Sequence, residues 1–272
     1  MCAGGYDYGN GGDKIETFGG VTLKTRSYRF FAGLAMTAIA MLSLAACSQP
    51  TPVPLLFNPA PWQSGEQHAF AVTDIDGKSA GIATYTISDG QNDAGEPLWV
   101  IERVVNTQGD QEINTVKVSD AGFRPQSSYL ERTSAEGAES VDAQYNSGQV
   151  DMTLKTRQSN VSLLRAQIPS DARETATLPM LVRALPLAQG YATQINSYLP
   201  IASLLDRVTV KVSGEEEITV PAGAYKTWVV ELDTGNAQSK AWVAQTAPYP
   251  LIQYIDGRNK ATFALTQFSS TP

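Results

Sequence analysis

From Gly65 onward, apolar residues recur at every second position in short runs separated by turn residues, the rhythm of strands that bury one face. Phe70 and Val72 lead into Asp76-Gly77, a strong hairpin signal. Either Ile82, Thr84 and Thr86 or their neighbours Tyr85 and Ile87 carry the return strand. Further runs lie at 98–105, 113–118, around Tyr129, and at 141–145, 150–154 and 161–168. Others follow at 191–198, 208–212, 217–220, 224–232, 239–245, 251–255 and 261–268. Gln108-Gly109-Asp110, Gly122, Glu136-Gly137 and Ser147-Gly148 punctuate the first half at the spacing of an antiparallel meander. The pattern predicts an all-β domain over 65–272, a single curved antiparallel sheet or partly open barrel of about a dozen strands.

One stretch breaks the rhythm. Between Thr177 and Leu187, Leu178, Leu181, Val182 and Leu185 fall at helical spacing, and Pro186 and Gly190 close the run. A short amphipathic helix or lid is expected there, as the one helical insertion.

The N-terminal part has a different character. Residues 24–46 hold Lys24, Arg26 and Arg29, then the uncharged run Phe30 to Leu44, then Ala45-Ala46 before Cys47. This is the three-part layout of a secretory signal, and its apolar run falls short of the ~20 residues of a membrane-spanning helix. Leu44-Ala45-Ala46-Cys47 resembles the lipobox of bacterial lipoproteins. The resemblance implies cleavage before Cys47 and diacylglycerol on its sulfur, with palmitate as a further acyl chain. Two or more chains would make a stable membrane anchor. Residues 1–23, Gly-rich around Gly9-Asn10-Gly11-Gly12, fit no part of a signal and read as a leader from a start codon set too far upstream. Residues 47–64 carry Pro52, Pro54, Pro59 and Pro61, which predicts an extended tether.

Charge and composition then remove several function classes. After Cys47 there are 16 Lys and Arg against 24 Asp and Glu, a net charge of −8 with no basic cluster, which speaks against nucleic acid as a partner. Of the two cysteines, Cys2 precedes the signal and Cys47 is its terminus, so the β domain has no internal disulfide. A single histidine, His68, leaves no ligand set for zinc or iron. Asp89, Asn92 and Asp93 do not follow a calcium-loop spacing and read as a polar turn. Gly77-Lys78-Ser79-Ala80-Gly81 matches the G-x-S-x-G pattern of serine hydrolases, but it sits in a hairpin and His68 lies on the wrong side of it in the chain. The consecutive Glu215, Glu216 and Glu217 point to alternate faces of a strand and read as a solvated hairpin end. No cofactor is implied, and the chain reads as non-enzymatic.

Four local features resemble the DUF3108 family, a group of exported bacterial proteins. They are Trp62-x-x-Gly65-Glu66, Leu185-Pro186-Leu187-x-x-Gly190-Tyr191, Val220-Pro221-Ala222-Gly223-Ala224-Tyr225-Lys226-Thr227, and Ala241-Trp242 with Pro250. The resemblance implies export and a curved antiparallel sheet around an apolar hollow, similar in outline to LolA/LolB-like lipoprotein carriers. It supplies no active site.

The aromatic residues Trp99, Tyr225, Trp228, Trp242, Tyr254 and Phe263 fall on predicted strands, and Met180, Leu181 and Leu185 on the predicted helix. Packed as a core they only stabilise the fold. Lining a hollow, with the helix as lid, they would bind an acyl chain or another apolar ligand. The leading expectation is a lipid-anchored protein outside the cytoplasm, on the cell membrane or outer membrane, that binds an apolar or lipid ligand. The alternatives are an assembly factor that binds another envelope protein, and a hydrolase of envelope polymers.

Overall fold

The computed structural model describes residues 52–270. The leader, the signal segment and Cys47 lie outside the described residues. Fifteen strands form one sheet. The first half comprises β1 (Glu66–Thr73), β2 (Ser79–Gln91), β3 (Pro97–Thr107), β4 (Gln111–Ser119), β5 (Pro125–Ser134), β6 (Gly137–Asn146), β7 (Gln149–Lys155) and β8 (Val161–Gln167). After it come the two-residue β9 (Arg173–Glu174), β10 (Ala192–Leu199), β11 (Leu204–Val220), β12 (Gly223–Asp233), β13 (Gln238–Ala244), β14 (Leu251–Asp256) and β15 (Ala261–Ser269).

Every antiparallel pair joins neighbours in the chain except one: β1 takes β2 on one side and β15 on the other, so the two meanders meet along β1. β8 and β9 are the free ends, and the sheet stays open rather than closing into a barrel. It curls all the same. Tyr198 of β10 packs with Leu130, Val141, Ala143, Val150 and Met152 from β5 to β7, its hydroxyl 3.4 Å from the Met152 sulfur.

The strand count exceeds the expected dozen, although the 208–212 and 217–220 runs prove to be one strand. β11 continues through them by a register shift between Val212 and Gly214, where the glycine lets the strand bulge instead of ending. The Pro221-Ala222 turn links β11 to β12, and Gly223 at φ +136° occupies backbone space that a side chain resists.

Two expectations need correction. The helical passage at 175–184 contains one α-turn, α1 (Leu178–Leu181), between two 3-10 turns. It is no amphipathic lid: Met180, Leu181, Val182 and Ala184 are wholly buried, because a helix apolar on every side has no face to offer water. Nor is the Pro-rich stretch a free tether over its described part. The Val53 N–H donates to the Ala192 carbonyl (2.8 Å), and the Asn58 N–H to that of Ala184 (2.7 Å). Phe57 sits edge-on to Phe123 at 5.2 Å, and Trp62 is 3% exposed. The apolar residues between the prolines strap this segment onto the domain.

Arg183 fastens the helical passage. Fully buried, it donates to Glu66 Oε1 on β1 (2.6 Å) and to the carbonyls of Pro248 (3.0 Å) and Tyr249 (2.8 Å), with its guanidinium 5.7 Å above the Trp62 ring. Replacing one member of such a pair strands the other charge in the interior. Arg183→Met is expected to cost about 3–5 kcal/mol in urea unfolding, and adding Glu66→Gln to recover part of that loss.

Candidate functional site

The register sets out the inner face of the first meander row by row. One row runs Ile87, Ile101, Val116 and Ser128 across β2 to β5. The next runs Tyr85, Arg103, Asn114 and Leu130, and the one beyond it Ala83, Val105, Glu112 and Arg132. Side chains alternate along each strand, so the same face that is apolar at one end becomes polar two and four residues further on. The apolar end is filled by the core that includes α1. At the polar end the filling stops, and two hollows remain.

The larger hollow, of about 440 Å³, has an apolar wall made by Val72, Ala80, Val105, Ala261 and Phe263. Its other wall is charged. Glu112 accepts from Arg103 and from Arg132 Nε (2.7 Å); Arg132 approaches Glu139 at 3.9 Å, and Arg157 approaches Glu139 at 3.9 Å and Glu136 at 2.7 Å. Charges of alternate sign therefore cross β3, β4, β5, β6 and the turn after β7. Lys260, Asp74 and Asp110 complete the rim.

The smaller hollow, of about 120 Å³, shares Arg103, Glu112, Arg132 and Asn259 with the larger one. It runs inward past Asn114 to Thr175, Ser197, Tyr254 and Asp256. Asn114 is 1% exposed and faces the Glu174 carboxyl, yet neither atom of its amide makes a hydrogen bond of ordinary geometry; Arg103 Nε likewise makes none. Asp256, by contrast, is satisfied by the Arg258 and Asn259 backbone N–H groups (2.9 and 3.1 Å) and by the Asn259 amide (2.7 Å). Burial raises the Tyr254 hydroxyl above its ordinary range, and Asp256 adds to the effect.

Glu174 stands beside this hollow at 1% exposure, accepting from the Ala176 N–H at 2.6 Å. Burial pushes its carboxyl up to about 7, against the opposing pull of the Ala176 N–H, the Arg103 charge, the Thr177 N–H and the Asn114 amide. His68, wholly buried on β1, moves the other way: burial and then the nearby Arg183 charge hold it well below 6.5, so it is neutral near pH 7.

Of the nine apolar and aromatic candidates, Phe263 lines the larger hollow and Tyr254 the smaller, and the other seven line neither. Met180, Leu181 and Leu185 belong to the packed core. Trp99 meets Trp62 edge-on at 6.1 Å and donates to Asp120 (2.8 Å), which spends its polar edge on a turn. The Tyr225 hydroxyl donates to the Ala222 carbonyl (3.2 Å), and the Trp242 indole to Glu216 (2.7 Å). Trp228 packs half-buried against the core. Ser79 is exposed at the start of β2, opposite Thr73 and remote along β1 from the buried His68. Asp89 accepts from Ser64, while Asn92 accepts from the Ala94 and Glu96 N–H groups. Among the described residues no cluster of three metal-binding side chains occurs.

Arg103, Glu112, Asn114 and Arg132, which line the hollows, and Glu174 beside them are polar, and a sequence criterion of aromatic size passes over them. Their signal was present in the chain: a charge or an amide at an inward position of an alternating run, as in Ile101-x-Arg103-x-Val105 and Glu112-x-Asn114-x-Val116.

A family described as "Protein of unknown function (DUF3108)" matches residues 67–262. No curated protein matches the chain. Among solved structures, a candidate exported protein with a YmcC-like fold from Bacteroides fragilis is similar at 11% identity, covering 79% of this chain and 99% of its own, with a TM-score of 0.26. A candidate lipoprotein from Parabacteroides distasonis is similar at 9% identity, covering 79% and 100%, with a TM-score of 0.28.

Glu174 makes stability depend on pH. Its carboxyl titrates near 4.5 in the unfolded chain and near 7 in the folded one, so between those values the folded protein holds a proton that the unfolded chain has lost. Stability is full below about 4.5 and falls by about 3 kcal/mol as pH rises to 7. Urea midpoints across this window should show the decline in the native protein and a flatter profile in Glu174→Gln.

Proposed function

We propose that this chain, which belongs to the DUF3108 family, is an exported, lipid-anchored, non-enzymatic protein that binds an amphiphilic, lipid-like ligand at the open end of its curled sheet. The observation that carries the reading is the larger hollow, with its apolar wall of Val72, Val105, Ala261 and Phe263 facing Arg103, Glu112, Arg132 and Arg157. A purely apolar ligand would leave that charged wall stripped of water, and a purely polar one would leave the opposite wall unused. An amphiphile satisfies both. The address rests on the sequence: the charged, apolar and small-residue segments ending at Cys47.

The strap brings the anchor close. From Cys47 to Val53 the chain can reach about 20 Å at full extension. The domain would therefore work near the membrane surface, within a lipid's length of its source.

Native mass spectrometry of protein taken from an envelope fraction, set against a delipidated sample, tests the ligand. The expected result is an added mass of several hundred daltons, reduced at least tenfold in Val105→Glu, whose side chain borders the hollow. An empty native protein that takes up neither fatty acid nor phospholipid would overturn the reading. The anchor has its own check: labelled palmitate is expected to enter the native protein and not Cys47→Ser.

A second reading has one observation in its favour. Terminal strand β8 is paired on one side only among the described residues, and it exposes Val161, Leu163 and Leu164, with Leu163 at 81%. An edge of this kind can accept an extended strand of another envelope protein. A photo-crosslinker at Leu163 should then give one discrete adduct in cells, and the native protein no lipid mass.

A further inference from the structure

We infer that the smaller hollow is a head-group subsite, and that the group it takes is uncharged and hydroxylated, a sugar ring or a glycerol-like polyol. This rests on the reading of the larger hollow as an amphiphile site and specifies which amphiphile fits.

Asn114 carries the argument. An amide at 1% exposure whose oxygen and nitrogen make no hydrogen bond of ordinary geometry, with the buried Glu174 carboxyl as its polar neighbour, is uncommon, because such atoms have lost their water without a full replacement. A hydrophobic residue of the same size would suit the fold better at that position, opposite Leu130 and next along β4 from Val116. Its amide lines the smaller hollow and presents one acceptor and two donors to whatever occupies it. A pair of neighbouring hydroxyl groups, each able to donate and to accept, is complementary to that edge.

Charge selects against an anionic head. The cations that line this hollow are already in ion pairs: Arg103 and Arg132 share Glu112, Arg132 also approaches Glu139 at 3.9 Å, and Arg258 pairs with Asp206 at 2.6 Å. With Arg103, Arg132 and Arg258 set against Glu112, Asp206 and Asp256, the wall carries no net charge to hold a phosphate or carboxylate. Hydroxyl groups can donate to those same carboxylates, and Arg103 Nε remains to donate to a ring or glycosidic oxygen. Size agrees as well. About 120 Å³ corresponds to roughly four waters, more than a single bridging molecule fills, and the shared lining at Arg103 and Arg132 lets a larger head extend toward the outer hollow.

The test is calorimetric titration of the protein with octyl glucoside, octanoate and octyl phosphate, each kept below its micelle concentration. Octyl glucoside is expected to bind at least tenfold tighter than octanoate or octyl phosphate. Asn114→Leu should lose about tenfold toward the glucoside, leave octanoate within twofold, and keep or raise the melting temperature, which a merely structural role would lower. Asn114→Ala provides the same comparison if the leucine variant folds poorly. Equal affinity for glucoside and octanoate, preference for octyl phosphate, or equal weakening of all three by Asn114→Leu overturns the subsite while leaving the amphiphile reading in place. Failure of all three probes to bind overturns both.

Discussion

A guanidinium and a carboxylate held together at zero exposure are costly to take out of water, and they remain folded only where geometry and further hydrogen bonds offset that cost. Arg183 and Glu66 meet those terms because the loop before β14 turns two carbonyls, those of Pro248 and Tyr249, toward the same guanidinium. One side chain thus joins the strand where the two meanders meet, the passage that holds the only α-helix among the described residues, and the loop between β13 and β14. With that junction fixed, the apolar side chains of the passage have a single place to go, and they fill one end of the curled sheet. The hollows open at the other end, where the passage reaches only the wall of the smaller one, through Thr175, Ala176, Leu178 and Pro179.

Much of the fold was legible because strand periodicity is local. A face that must be buried repeats every second residue, and Phe70-x-Val72 or Val208-x-Val210-x-Val212 announce themselves without tertiary knowledge. The helical passage was harder. Leucine spacing around Leu178 and Leu181 indicated a helix, whereas its burial on all sides depends on what packs around it, including Arg183, a charge that sequence reasoning assigns to a solvent face. The strap was misread for a related reason: four prolines dictate extended backbone, and extended backbone docks as readily as it floats once Phe57 and Trp62 find aromatic partners.

The site was legible only in part. Tyr254 was found through its aromatic character, and it lies at the inner hollow. Asn114, Arg103 and Glu112 belong to strands whose existence was clear, but which of the two faces is inward is settled by the register across β3, β4 and β5. Glu174 could not have been found locally at all. Its surroundings come from the curl that brings β9 over the first meander, and so does its elevated proton affinity.

The pairing of β1 with β15 has a consequence for how the chain reaches this state. All other ladders link strands adjacent in sequence and can grow as hairpins, whereas Phe70 must find Leu265 about 195 residues away. Closing so long a loop is entropically slow, so the two meanders can assemble before they are joined. During that interval β1 presents a bare edge along the side that β15 later takes. Every molecule thus passes through a stage in which its own final strand competes with any other extended segment nearby, and charged neighbours such as Lys260 at the start of β15 help keep that competition intramolecular.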